Sequence, residues 1–230
     1  MQIKKLNPKA FLFVLFTLLI IFSTYVIIIN RNNQEMTIKQ KILKAVYPAL
    51  IWISNKAGKN NLSLSNDSAT PPVSFYSLTT VLNNGKQFNL SELKGKKILL
   101  VNTASDCGYT NQFEDLEKLY KQHQSKLIIL AFPANDFKEQ EKGTDEKIAT
   151  FCKINFGVTF PLMQKSVVIK KSQQNEVFNW LTDSNKNGWN SQAPTWNFCK
   201  YLVDETGRLT NFFATSVEPG SKEVLDAIIK

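Results

Sequence analysis

Apolar and polar positions divide this chain into three stretches of different rhythm. Residues 10 to 30, AFLFVLFTLLIIFSTYVIIIN, carry no charge and show no polar face at a helical period. About 20 such residues, rising ~1.5 Å each, cross a bilayer core of roughly 30 Å, so the run predicts a transmembrane signal anchor behind a basic flank, residues 1 to 9. It exceeds the ~7 to 15 apolar residues of a signal peptide, and no A-x-A cleavage pattern follows it. In the second stretch, MTIKQKILKAVYPALIWIS (36 to 54) places Ile38, Ile42, Val46 and Leu50 four residues apart, with Lys39, Lys41 and Lys44 mostly off that stripe. This predicts an interfacial helix on anionic lipid; the plainer alternative is a helical connection that touches nothing in particular. Residues 55 to 71, NKAGKNNLSLSNDSATP, are polar and read as a linker.

From about Pro72 to Lys230 the rhythm alternates. VSFYSLTTV and KQFNLSEL flank Asn83, Asn84 and Gly85, a hairpin signal. KKILLVNTA is a short, nearly continuous apolar run suited to a central strand buried on both faces. A helix (TNQFEDLEKLYKQ), a strand (KLIILAFPA), a helix at 144 to 156 (TDEKIATFCKINF), a strand near FPLMQKSVVI and a helix (NEVFNWLTD) follow. NFCKYLVDETGRLTNFFA reads as a hairpin around Glu205, Thr206 and Gly207, and SKEVLDAIIK as a closing helix. Such alternation predicts an α/β fold with a mixed central sheet flanked by helices.

Charge changes the picture once it is located. The net charge is +9, but the first 60 residues carry +8 and the remaining 170 only +1. The folded part is close to neutral, which argues against nucleic acid as a partner and places the basic charge beside the membrane. Sidedness stays open, because Lys4, Lys5 and Lys9 precede the anchor while Arg31, Lys39, Lys41 and Lys44 follow it.

Chemistry is narrowed first by what is missing. The one histidine, His123, reads as a solvated helix end, so Cys-His and Ser-His catalysis and most histidine-containing zinc sites drop out. The three cysteines, Cys107, Cys152 and Cys199, form no C-x-x-C pair, since position 110 is Thr. Cys107 stands where an apolar strand meets a helix start, and backbone N–H groups at such a place favour the thiolate. Asp106, just before it, opposes this.

Three segments, VNTASDCGYTNQF, LAFPANDFKEQEKGTDEKIATFCKINFGVTFP and WNFCKYLVDETG, resemble the signature segments of the glutathione peroxidase family, in order and over roughly residues 73 to 230. The resemblance implies a thioredoxin-like fold and a peroxidase that needs no cofactor and no metal. Cys107 takes the position of the family's peroxide-reducing selenocysteine or cysteine. The supporting Gln, Trp and Asn fall on Gln140, Trp196 and Asn197, neutral donors able to hold a thiolate and orient a peroxide. Their side chains are expected to converge on the Cys107 sulfur in a shallow, solvent-reachable pocket. Cys152, 45 residues after Cys107, matches the resolving cysteine of the family's cysteine-dependent members, which are usually reduced by thioredoxin rather than glutathione. Lying inside a predicted helix, it is expected beyond disulfide reach in the reduced state, so that the helix must unwind locally; the alternative is a core cysteine.

Departures from the family pattern are also visible. Asp106 stands where Lys is common, Ala134 and Asp136 replace a Cys and a Gln, Lys142 replaces a Pro, and Cys199 replaces a Thr. Cys199 reads as structural, with an auxiliary thiol as the alternative; were it on a strand with Asn197, the two would share a face. Trp180, Trp189 and the phenylalanines read as core. The implied protein is a membrane-anchored, single-pass thiol peroxidase with a monomeric catalytic domain, acting on hydrogen peroxide or on organic or lipid hydroperoxides. Its rivals are a tethered thiol-disulfide oxidoreductase and a peroxide sensor that passes its oxidation to a partner.

Overall fold

A computed structural model describes residues 7–31, 33, 36–58 and 61–230. Lys4, Lys5 and most of the basic flank lie outside the described residues. The apolar run forms one helix, α1 (Pro8–Ile29), most of whose large apolar side chains are exposed. It is long and apolar enough to cross a membrane, a property that a cleaved signal sequence shares. Next comes α2 (Ile38–Lys56), started by a capping box in which Thr37 and Gln40 satisfy each other's backbone N–H groups.

β1 (Ser63–Ser65), β4 (Lys97–Thr103), β5 (Leu127–Pro133), β6 (Lys200–Val203) and β7 (Leu209–Phe213) make a five-stranded sheet in the order β1-β7-β6-β4-β5. Only β4 and β5 run parallel; the other neighbours are antiparallel, so the sheet is mixed. β2 (Thr79–Val81) and β3 (Gln87–Asn89) form the separate hairpin expected around Asn83 to Gly85. Every residue of β4 is buried. Its alternation divides the core in two: Leu99 and Val101 face one cluster, Ile98 and Leu100 the other. The first cluster is covered by α3 (Gln112–His123), α4 (Asp145–Phe156) and α7 (Lys222–Ile229). The second takes α5 (Glu176–Leu181), with α6 (Ser184–Asn187) following it.

Three elements differ from the sequence pattern. The polar stretch after α2 is not all linker, because Ser63–Ser65 pairs with Asn211–Phe213 as an edge strand. The free edge of β7 needs hydrogen-bond partners whatever the polarity of the side chains supplying them. FPLMQKSVVI forms only isolated bridges, since Met163 N bonds Ala131 O while Gln164 N bonds Val81 O. Its backbone is shared between two sheets and pairs continuously with neither. Finally, α2 does not stand apart from the domain. Tyr47, Ile51 and Ser54 are buried on its inner face, while Ile38 and Ile42 of the expected stripe remain exposed and Val46 and Leu50 are half-buried.

Candidate active site

β4 ends at Thr103, and the chain makes a series of tight turns before α3 begins at Gln112. Thr110 holds these turns closed, its hydroxyl donating to Cys107 O at 2.6 Å and to Ala104 O at 3.1 Å. Thr110 thus occupies the place of a second thiol in a C-x-x-C loop and serves there as a turn lock. Cys107 sits in the middle of the turns with its sulfur facing backbone amides, and Tyr109 N donates to Sγ at 3.5 Å.

Trp196 and Asn197 lie just ahead of β6, whose antiparallel pairing with β4 brings its start to the end of β4 that leads to Cys107. Asn102, buried at the end of β4, sets their position: its amide donates to Trp196 O at 3.0 Å and accepts from Cys199 N at 3.0 Å. The chain turns at Phe198, whose φ of 65° is left-handed, a conformation that costs a non-glycine residue about 1–2 kcal/mol. The Trp196 indole and the Asn197 amide both act on the Cys107 sulfur, each favouring its thiolate. Trp196 is half-buried beside the Phe137 ring, centroids 5.8 Å apart. Gln140 does not join them directly. Its Oε1 accepts from Asn197 Nδ2 at 2.9 Å, so it steadies the amide that touches the sulfur.

Sequence reasoning missed two polar residues. One is Asn102, whose signal was a buried amide in an otherwise apolar strand. The other is Glu141, whose Oε2 accepts from Ser105 N at 2.8 Å and Ser105 Oγ at 3.0 Å, fixing the loop ahead of Cys107. Burial raises the Glu141 carboxyl to about 7, although the two Ser105 hydrogen bonds and the Lys165 charge pull it down.

The expected open pocket is absent. Cys107 is only 1% exposed, because α2 lies across the loop that carries it. Burial pushes its thiol above the ordinary value, and the donors from Tyr109, Asn197, Trp196 and Gly108 oppose this without overcoming it. Cys152 is fully buried in an intact α4 and its thiol is raised still more firmly, by burial first and Glu141 second. All three cysteines are free thiols. Cys199 precedes β6 and packs in the second core cluster, away from the cluster that holds Cys107 and Cys152, with Thr215 Oγ1 at 3.6 Å. Asn197 and Cys199 therefore share no strand face. Asp136 accepts from Val168 N and Lys171 Nζ, a local tie that leaves it out of the site, and Ala134 is core. Among the described residues no group of His, Cys, Asp and Glu is placed to hold a metal ion.

The family model for glutathione peroxidase matches residues 75–182. Glutathione peroxidase-like peroxiredoxin 2 of Saccharomyces cerevisiae is 42% identical over 149 residues, covering 64% of this chain and 91% of that protein. The chain belongs to the glutathione peroxidase family. Glutathione peroxidase-like peroxiredoxin GPX5 of Chlamydomonas reinhardtii is 43% identical over 148 residues, with 64% and 90% covered. Among solved structures, T. cruzi GPX1 superposes with a TM-score of 0.52 at 27% identity, covering 67% of this chain and 92% of that one. A DsbF homologue from Corynebacterium diphtheriae reaches 0.51 at 14% identity, a likeness of fold alone. The chain has a thioredoxin-like fold and is a peroxidase, an oxidoreductase that works through a thiol.

Proposed function

We propose that Cys107 is the peroxide-reducing sulfur of a two-cysteine cycle, that Cys152 resolves it, and that thioredoxin rather than glutathione returns the disulfide to dithiol. The observation that carries this reading is the convergence of the Trp196 indole, the Asn197 amide and the Gly108 and Tyr109 N–H groups on one sulfur. These neutral groups lower the cost of a thiolate without a histidine. The thiolate attacks one oxygen of ROOH, the O–O bond breaks, and RO⁻ leaves and takes a proton as ROH, while sulfur becomes the sulfenic acid. The Cys152 thiolate then attacks that sulfur; an S–S bond forms and hydroxide leaves as water. A thioredoxin dithiol reduces the disulfide, becoming oxidised in turn. Gln140 acts through Asn197 as a positioning residue. Residues 10–30 tether the domain to a membrane, which brings lipid hydroperoxides within its range.

A tethered thiol-disulfide oxidoreductase is disfavoured by Thr110, whose hydroxyl is committed to backbone carbonyls. The deciding experiment is steady-state hydroperoxide consumption with a regenerating thioredoxin system, set beside the same assay with glutathione. Cys107→Ser is expected to abolish consumption. Cys152→Ser is expected to consume one equivalent and then stop with thioredoxin. Normal turnover by the Cys152 variant would return that residue to the core and end the two-cysteine reading.

A further inference from the structure

Helix α2 meets the catalytic loop along its length. Near its start, Gln40 Nε2 donates to Asp106 Oδ1 at 2.7 Å and to Ser105 O at 3.2 Å, and Lys39 Nζ lies 3.4 Å from Asp106 Oδ2. In its middle, Tyr47 stands edge-on to Tyr109, ring centroids 6.3 Å apart. Near its end, Ser54 Oγ and Tyr109 OH share a 2.7 Å hydrogen bond. Leu50 packs so closely on the loop that its Cδ1 lies 2.9 Å from where a Cβ on Gly108 would stand. Met36, Gln40 and Lys44 close a cleft over Cys107 and Gly108 of about 10 Å³, room for at most one water. Neither a hydroperoxide nor the surface of a reductant protein fits between α2 and the sulfur.

We infer that α2 is a lid latched to Asp106, that it shuts Cys107 off from peroxide and reductant, and that an anionic bilayer opens it. Asp106 is the residue that departs from the family's common Lys. A lysine there would face Lys39 and repel it, whereas the aspartate accepts both Lys39 and Gln40. The Gln40 side chain also accepts from Thr37 N at 2.8 Å in the capping box, so one residue starts the helix and fastens it. The outer face of α2 shows why a bilayer is the opener. Ile38, Ile42, Trp52 and Ile53 are exposed, Lys39 and Lys56 stand among them, and the helix contains no acidic residue. Anionic headgroups compete with Asp106 for Lys39. A released helix can also bury Tyr47, Leu50 and Ile51 in the interface, which a latched one cannot. Lipid therefore binds the open state more strongly, the condition for shifting the equilibrium. The consequence for turnover rests on Cys107 being the reactive sulfur; the cover itself does not.

The test uses the full chain carrying Cys152→Ala and Cys199→Ala, in nanodiscs of phosphatidylcholine alone or mixed with phosphatidylglycerol. The readout is the rate at which Cys107 is alkylated by a maleimide, with thermal unfolding followed as a folding control. Asp106→Ala and Lys39→Glu, both changes of partly exposed residues, are expected to raise the rate in neutral discs, the first about tenfold, as loss of a hydrogen bond to a charged group implies, and the second about threefold, as loss of an exposed ion pair implies. Anionic discs should raise the parent's rate and leave the unlatched variants little changed. Equal rates in parent and both variants would overturn the lid, and a parent rate indifferent to phosphatidylglycerol would overturn the bilayer as its opener. Peroxide consumption by the same samples separates the two readings: rapid alkylation of the unlatched variants without any peroxide consumption would sink the peroxidase assignment of Cys107 and leave the lid standing.

Discussion

Glu141 shows how a buried charge can set the behaviour of a loop. Its carboxyl is held by Ser105, only two residues from Cys107, and burial raises it from 4.5 to about 7. In the unfolded chain it ionises near 4.5, so between pH 4.5 and 7 the folded state holds a proton that the unfolded state has released. Stability from this group is therefore complete below pH 4.5 and is lost as pH rises through 7, by up to about 3 kcal/mol. Glu141→Gln removes that loss while keeping an acceptor for Ser105. The variant is expected to gain in unfolding temperature over the parent progressively from pH 5 to pH 8, measured by calorimetry; a gap that does not change with pH would show that Glu141 is already ionised in the fold. The roles of Glu141 and Asn102 were not legible in the sequence, where Asn102 shows only as an amide in an apolar strand, because each is defined by a partner 36 to 97 positions away. Cys107, Trp196, Asn197 and Gln140 were legible only through three short segments whose spacing matches a family. Nothing in periodicity or composition separates Trp196 from the core tryptophan Trp180.

At the scale of elements, the two-cysteine cycle proposed above predicts that α4 gives way for Cys152 to meet Cys107. The helix begins at Thr144, whose hydroxyl accepts from Lys147 N, and ends at Gly157, where φ is 64°. The ending bears directly on Cys152, since Val158 N closes back onto Cys152 O at 3.3 Å and Gly157 N onto Lys153 O at 3.0 Å. An alanine at 157 carries the left-handed penalty of about 1 kcal/mol and loosens that closure. If unwinding of α4 limits resolution, Gly157→Ala should speed disulfide formation after a pulse of peroxide by about fivefold, the equivalent of that energy. Stopped-flow tryptophan fluorescence would follow it, and an unchanged rate would place the limiting step elsewhere, in the opening of α2 for instance. α4 itself was legible as a helix over 144 to 156. α2 was legible as a helix but not in its placement. A helix apolar on two sides gives the same pattern whether lipid or protein covers the inner one, and here Tyr47, Leu50 and Ile51 chose protein. β1 was hidden for the opposite reason, its side chains being polar while its backbone completes the sheet.

Across the whole molecule, charge and apolar surface are divided by position. The first 60 residues hold +8 of the +9 net charge together with α1, while the sheet and its helices form a nearly neutral body. The two parts are joined by more than chain continuity. Asn30, at the end of α1, donates to Lys41 O at 3.1 Å; Asn33 donates to Asn155 O at 3.0 Å and accepts from Lys44 Nζ at 3.1 Å. These contacts lead from the exit of α1 through α2 to α4, the helix that carries Cys152. The route reaches α1 only through Asn30, which also donates to Val26 O at 2.9 Å, so a chain cut after α1 would keep the Lys41 tie but lose the anchor behind it. The protein isolated from cells is expected to show an intact mass that includes residues 10–30, and to remain with the membrane pellet after alkaline carbonate washing, which strips proteins held by charge alone. A soluble product beginning near Asn30 would identify α1 as a cleaved signal sequence. The lid would then have to work from a chain in solution, with anionic lipid reached through α2 alone.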